Sequence, residues 1–328
     1  MRSAILQSVF AFAIFAFCCG CATDTSQRSE HAASYEVIDL MPAFWDFWSK
    51  ASELPVSEQQ QLVRSMLVDR YPDVYTAEVI NLDAEKPFEA ALDERYERWL
   101  PLISSHIATM REVSAEIAAD LPRYESSFKA VFPDMQYDGK VYFLCSLGGF
   151  DGATRSVAGK EALLFGVDMI AYVYGKDVDP QPFFYHELFH IYHSQFLNEE
   201  DEALYINLWR EGLATYVAKS LNPSAEGVNL FGLPLEMPER AQVMLPRLAR
   251  ELRANLDSSA GDTYARFFFG KEKDADLPAR SGYYVGYLIA ERIGRGKSLR
   301  DLAKMRGPAL RAAIDSALKD IEVSASVP

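Results

Sequence analysis

The chain has 328 residues, 49% of them hydrophobic and 24% charged, enough apolar material for a sizeable core in one large domain or two closely packed ones. Its formal net charge of -14 excludes non-specific nucleic-acid binding, which depends on lysine and arginine displacing counterions. No internal repeat or long low-complexity tract interrupts the chain.

The first residues are set apart from the rest. Arg2 gives a short positive start, and residues 4–19 are an uncharged apolar run that ends at Gly20-Cys21. About sixteen residues are too few to cross a bilayer comfortably as a helix, so residues 1–21 are expected to be an export signal that is cleaved. The small Gly20 directly before Cys21 resembles a bacterial lipobox. That resemblance implies acylation of Cys21, a membrane contact through the lipid, and a place in the bacterial cell envelope facing the periplasm or the exterior. Cys18 stands where the pattern usually has Leu, and cleavage to a soluble periplasmic form is the alternative. Once Cys18 and Cys19 leave and Cys21 is acylated, Cys145 alone remains and no internal disulfide can form. Cys145 ends the apolar run Val141-Tyr142-Phe143-Leu144 and is expected to be a buried, inert thiol; a Cys-His protease is the competing reading.

Residues 22–35 are polar and rich in Thr and Ser, as in a tether. Residues 36–135 read as a helical region. Met41, Phe44, Trp45 and Trp48 recur at helical spacing, as do Ile103, Ile107, Met110, Ile117 and Leu121, with Pro101 expected to separate the second stripe from residues 94–100. The pattern changes in residues 136–325. Strands are expected at 140–145 and 161–168, joined as a hairpin through the loop that holds Gly148, Gly149 and Gly152. That loop lacks the Gly-Lys-Ser/Thr of a phosphate-binding loop. Pro182 suits the first turn of a helix running through Phe184, His186, His190 and Phe196. An acidic turn at 198–201 leads to a second helix over 201–221. From Pro238 onward the chain is mostly helical, with a loop at 270–274 and a Tyr-rich helix at 281–293. The fold class is therefore α+β, predominantly helical.

Chemistry concentrates in one stretch. Of five histidines, three fall within eight residues: His186, His190 and His193. On a helix, residues four apart stack on one face, so His186 and His190 can share one Zn2+ ion, while Glu187 projects beside that face as a base rather than a ligand. A catalytic zinc needs a third protein ligand and an open position. His193 lies about 10.5 Å along the axis from His186, too far for the same ion, and is expected beside the site, at the substrate edge or at the surface. Glu211 is the third ligand proposed, 21 residues after His190 and followed by Gly212, which permits close approach of its helix.

The pairing of His186-Glu187-x-x-His190 with Glu211-Gly212-Leu213-Ala214 resembles the gluzincin metallopeptidases, the thermolysin-like clan. More narrowly, it resembles an uncharacterised group of bacterial zinc proteases. The likeness covers about residues 137–293, including Gly282-Tyr283-Tyr284-Val285-Gly286-Tyr287. It implies a zincin-like metallopeptidase domain with a small antiparallel sheet beside the metal helix. It also implies hydrolysis of a peptide or protein substrate by a zinc-bound water, with Glu187 as general base and Tyr283 or Tyr284 donating to the oxyanion. Strand 161–168 would be the edge strand that pairs with extended substrate. Thr215 departs from the pattern, since thermolysin-like enzymes carry at that place an Asp that orients a histidine. The alternative function is a non-catalytic, lipid-anchored envelope protein with a structural or metal-capturing zinc site.

Overall fold

A computed structural model describes residues 35–175, 179–197, 203–232, 234–269 and 277–324. The export signal with Cys21, the tether up to residue 34, the acidic turn at 198–201 and the loop at 270–274 lie outside the described residues. All described residues fall in one compact unit.

Strand β1 (Glu36–Asp39) leads into α1 (Met41–Ala51), α2 (Val56–Val63) with a π turn over Arg64–Val68, α3 (Phe88–Ser104) and α4 (Ile107–Val131). Three strands follow, β2 (Lys140–Leu144), β3 (Gly152–Val157) and β4 (Lys160–Gly166), and then α5 (Val167–Tyr174). The metal-motif helix is α6 (Pro180–Ser194), followed by α7 (Leu204–Leu221) and the single turn α8 (Val228–Phe231). The C-terminal part adds α9 (Met237–Val243), α10 (Leu245–Ala254), α11 (Gly261–Phe268), α12 (Ser281–Gly294), α13 (Leu299–Ala303) and α14 (Gly307–Ser324). The chain is mainly helical with one small sheet, as the sequence predicts.

The sheet itself corrects three expectations. Its order is β1-β2-β4-β3, with β1 and β4 both parallel to β2 and only β3 antiparallel to β4. The small antiparallel sheet is thus a mixed one. The hairpin joins β3 to β4 through Ala158 and Gly159, both with positive φ (51° and 76°), the two-residue turn that matches strand twist. Strand β4 is interior, carrying Leu163, Leu164 and Phe165 buried, and Asp168 has already entered α5. The edge strand on the side of α6 is β3. Pro101 also differs from its predicted role: it lies inside α3 on an exposed face, and the break before α4 falls at Ser105–His106. On that face water can take the carbonyl that the missing N–H leaves unpaired, so the helix continues.

The aromatic stripes of the N-terminal helices are packing faces. Phe44 and Phe47 are fully buried and meet Tyr96 and Trp99 edge-on. Cys145 is a buried free thiol whose proton affinity is raised by burial and by Asp168 nearby, which suits an inert core residue rather than a nucleophile.

Two polar features fix the arrangement. The buried carboxylate of Asp168 accepts from Trp99 Nε1 (2.8 Å), Ser146 N (2.6 Å), Ser146 Oγ (3.0 Å) and Gly148 N (2.8 Å). It therefore joins α3, α5 and the loop that leads into β3. Asp179 caps α6 by accepting from Gln181 N (3.0 Å), and its other oxygen accepts from Asn222 Nδ2 (2.6 Å) just past α7. The start of α6 thus meets the end of α7, and the two run antiparallel. Where α7 crosses α12, a β-carbon on Gly212 would overlap the backbone of Gly286. The close approach that Gly212 permits is to α12 rather than to the metal helix.

Asp168→Ala should lower unfolding free energy by about 3 kcal/mol or more, because three N–H groups, two of them buried, lose their acceptor, read as a shift of the urea midpoint. Gly212→Ala should cost about 1–3 kcal/mol through overpacking against α12, read as a lower melting temperature.

Candidate metal centre

The face of α6 that carries the motif is set by its apolar neighbours. Tyr185, Leu188, Phe189, Ile191 and Tyr192 are buried in the core, which leaves His186, Glu187 and His190 turned towards a cavity of about 500 Å3. Glu211 comes to the same place from the middle of α7.

The three donors converge. His186 Nε2 and His190 Nε2 stand 3.0 Å apart, and they lie 3.4 and 3.5 Å from Glu211 Oε2. A tetrahedral zinc with bonds of about 2.0–2.1 Å separates neighbouring ligand atoms by about 3.3–3.4 Å, so the spacing and the donor types both fit that ion. Among the described residues this is the group of three able to hold a metal ion.

Electrostatics fit a cation site as well. Burial opposes ionisation of Glu211, but attraction to His190 and hydrogen bonds from both histidines outweigh it and hold its carboxyl well below the usual carboxylate range. Burial likewise opposes a charge on His190, yet the Glu211 carboxylate raises its proton affinity. Both shifts favour positive charge at this place, which a bound dication would supply. Glu187 has its pKa raised, first by burial and then by Glu211 and Asp151, with His186 and His190 opposing. Gly152 of β3 faces it, and a β-carbon there would come 3.2 Å from Glu187 Cδ and overlap the Phe183 ring. The edge strand therefore runs directly beside the carboxylate.

Of the two tyrosines, Tyr283 lines the cavity, its ring centroid 6.5 Å from that of His186. Tyr284 packs on Phe231 and donates its hydroxyl to Gln242 Oε1 (2.6 Å), outside the cavity lining. His193 is not a surface residue: it is 1% exposed, its ring lies 5.1 Å from Phe189, and both ring nitrogens are unpartnered. Burial, then His190 and Arg210, push its pKa down to about 3. Thr215 donates to the Glu211 carbonyl (2.8 Å) and so reaches no histidine, and His190 Nδ1 is buried without a partner. Among the described residues neither Thr215 nor a partner of His190 Nδ1 supplies the orienting group usual behind a zinc ligand.

Several cavity residues carry no motif in the sequence. Asp151 accepts from Tyr174 Oη (3.2 Å) and from Gly152 N (2.9 Å), and Arg155, Tyr264 and Arg280 complete the walls. Arg280 had one available signal, its place one turn before Tyr283 at the start of α12. On the far side of His190 and Glu211 lies a smaller cavity of about 200 Å3, bordered by Thr154, His193 and Arg210.

Comparison with known proteins agrees with this centre. No curated protein matches the chain, and no solved structure does. Residues 169–305 match the family DUF2268, described as "Predicted Zn-dependent protease", a stretch that holds α6, α7 and α12 and with them every donor named above.

Proposed function

We propose that the protein is a gluzincin-type zinc peptidase of zincin-like fold that hydrolyses peptide bonds with Glu187 as general base. The observation that carries this reading is the tetrahedral spacing of His186, His190 and Glu211 on a cavity floor with a buried carboxylate alongside. A zinc ion held there would supply Lewis acidity, polarising the scissile carbonyl and bringing the pKa of a water at its open position towards about 7.

The remaining chemistry belongs to the chain. Glu187, whose burial favours its protonated form, takes the proton of the attacking water and passes it to the leaving nitrogen. Tyr283 is the phenol near His186 that can donate to the oxyanion; burial and Glu211 keep that phenol protonated by raising its pKa. Strand β3 has one edge unpaired in the sheet and brings Gly152 and Arg155 to the cavity, so an extended substrate can bind by backbone pairing along it. Backbone pairing favours broad tolerance of side chains.

We further propose export and acylation at Cys21, a reading supported by the sequence of residues 1–21. No helix among the described residues is long and apolar enough to cross a membrane. Contact with a membrane would then come through the lipid.

Purified protein should contain about one zinc per chain, lost in His186→Ala and in Glu211→Ala by elemental analysis; full occupancy in Glu211→Ala would remove that ligand from the set. Glu187→Gln should retain zinc yet lose casein or peptide-library cleavage by about 10²–10⁴-fold. Zinc retained with cleavage unchanged would exclude Glu187 as the base, and a zinc-loaded wild-type protein that cleaves nothing would support the non-catalytic alternative. In bacterial cells grown with labelled palmitate, the chain should take label and Cys21→Ser should not; label in the variant overturns the anchor.

A further inference from the structure

The metal cavity holds two arginines, Arg155 and Arg280, that form no ion pair among the described residues. Arg155 donates from Nη1 to the neighbouring Thr154 carbonyl (3.0 Å). Arg280 makes no side-chain hydrogen bond and no ion pair among the described residues, and its Nε is buried without an acceptor. Its guanidinium instead lies on the Tyr283 ring, Cζ 4.5 Å from the centroid. Of the two cavity carboxylates outside the metal group, Asp151 accepts from Tyr174 and Gly152, and neither it nor Glu187 forms an ion pair with either arginine among the described residues. A guanidinium stays charged at every accessible pH, and a partly buried one without a counter-ion is costly to keep.

The backbone holds Arg280 in this place. Its φ of 60° is left-handed, a conformation few residues other than glycine adopt. It is fixed on both sides, because its N–H donates to the Phe269 carbonyl (3.2 Å) and its own carbonyl accepts from Tyr283 N (3.1 Å). Across the cavity wall stands Gly232, where a β-carbon would come 3.6 Å from Arg280 Nη2, so larger side chains there would crowd the guanidinium. Backbone strain and an unpaired charge thus meet at one residue, one aromatic ring away from the ligand His186.

Resting on the peptidase reading, we propose that Arg280 is a specificity-determining residue that binds a carboxylate of the substrate close to the scissile bond. The planar fork of the guanidinium matches a carboxylate in a bidentate pair. The two spacings through Tyr283 place that carboxylate within about three residues of extended chain from the metal. It is either the C-terminal α-carboxylate, which makes the enzyme a carboxypeptidase, or an Asp or Glu side chain, which gives an acidic preference. Arg155 lends a second positive charge to the same cavity.

The test separates these sources and stands apart from cleavage. Zinc-loaded Glu187→Gln protein is titrated calorimetrically with acetyl-Ala-Ala-Phe-Ala as free acid and as amide. It is also titrated with two amidated analogues that carry Glu or Gln in place of the last Ala. The free acid or the Glu peptide should bind about tenfold or more tightly than its neutral counterpart, and which one does so identifies the source. Arg280→Gln, added to the same background and checked for retained zinc, should bring the two within about twofold, and Arg280→Lys should keep part of the preference. Equal binding of charged and neutral peptides, no binding of either charged peptide at millimolar concentration, or a preference that survives in Arg280→Gln overturns the proposal. Failure of the wild-type protein to cleave any peptide would instead overturn the peptidase reading and leave this binding result to stand or fall by itself.

Discussion

The contact between Gly212 and Gly286 brings α7 and α12 to backbone separation, and the walls of the metal cavity follow from it. Glu211 directly precedes Gly212, and Tyr283 stands about one turn before Gly286. Two residues without side chains therefore bring a metal donor and an aromatic wall to opposite sides of one crossing. The antiparallel pairing of α6 with α7, pinned by Asp179 and Asn222, supplies the other constraint, since it sets Glu211 against the histidines. Small residues at a helix crossing and a capped helix start are ordinary packing devices. Here their joint product is a set of three donors at coordination spacing.

Polar groups behind the site divide into satisfied and unsatisfied ones. Asp168 is fully buried and takes four donors, which makes it a structural tie between α3 and the loop that launches β3. His193 and one edge of Arg210 are buried without partners beside the smaller cavity. Native interiors seldom leave such atoms bare except where water, an ion or a ligand meets them. The contrast marks Asp168 as scaffold and sets it apart from the polar groups beside His190 and Glu211.

Much of the centre was legible because helices repeat a local rule. His186 and His190 share a face by spacing alone, Glu187 falls beside it, and Glu211 sits on the next helix. What escaped was set by distant packing. Adjacent Tyr283 and Tyr284 point about 100° apart on a helix, and only the neighbours Phe231 and Gln242 decide which one faces the cavity. Strand β3, Gly-Ala-Thr-Arg-Ser-Val, is short, opens with glycine and has little apolar alternation, so it lacks the pattern of the strand it pairs with. One of the two parallel partners of β2 is β1, which lies on the far side of four α-helices in the chain. Pro101 was read as a breaker because a local rule says so, and an exposed face within a long helix tolerated it.

That distant strand has a consequence for how the molecule is assembled. Glu36–Asp39 cap the outer edge of Lys140–Leu144, and closing so long a loop is entropically slow. Until it closes, the run Val141-Tyr142-Phe143-Leu144 presents free backbone donors and acceptors on an apolar ribbon, open to pairing with another chain. The four residues Glu36–Asp39 thus act as a guard for an adhesive segment.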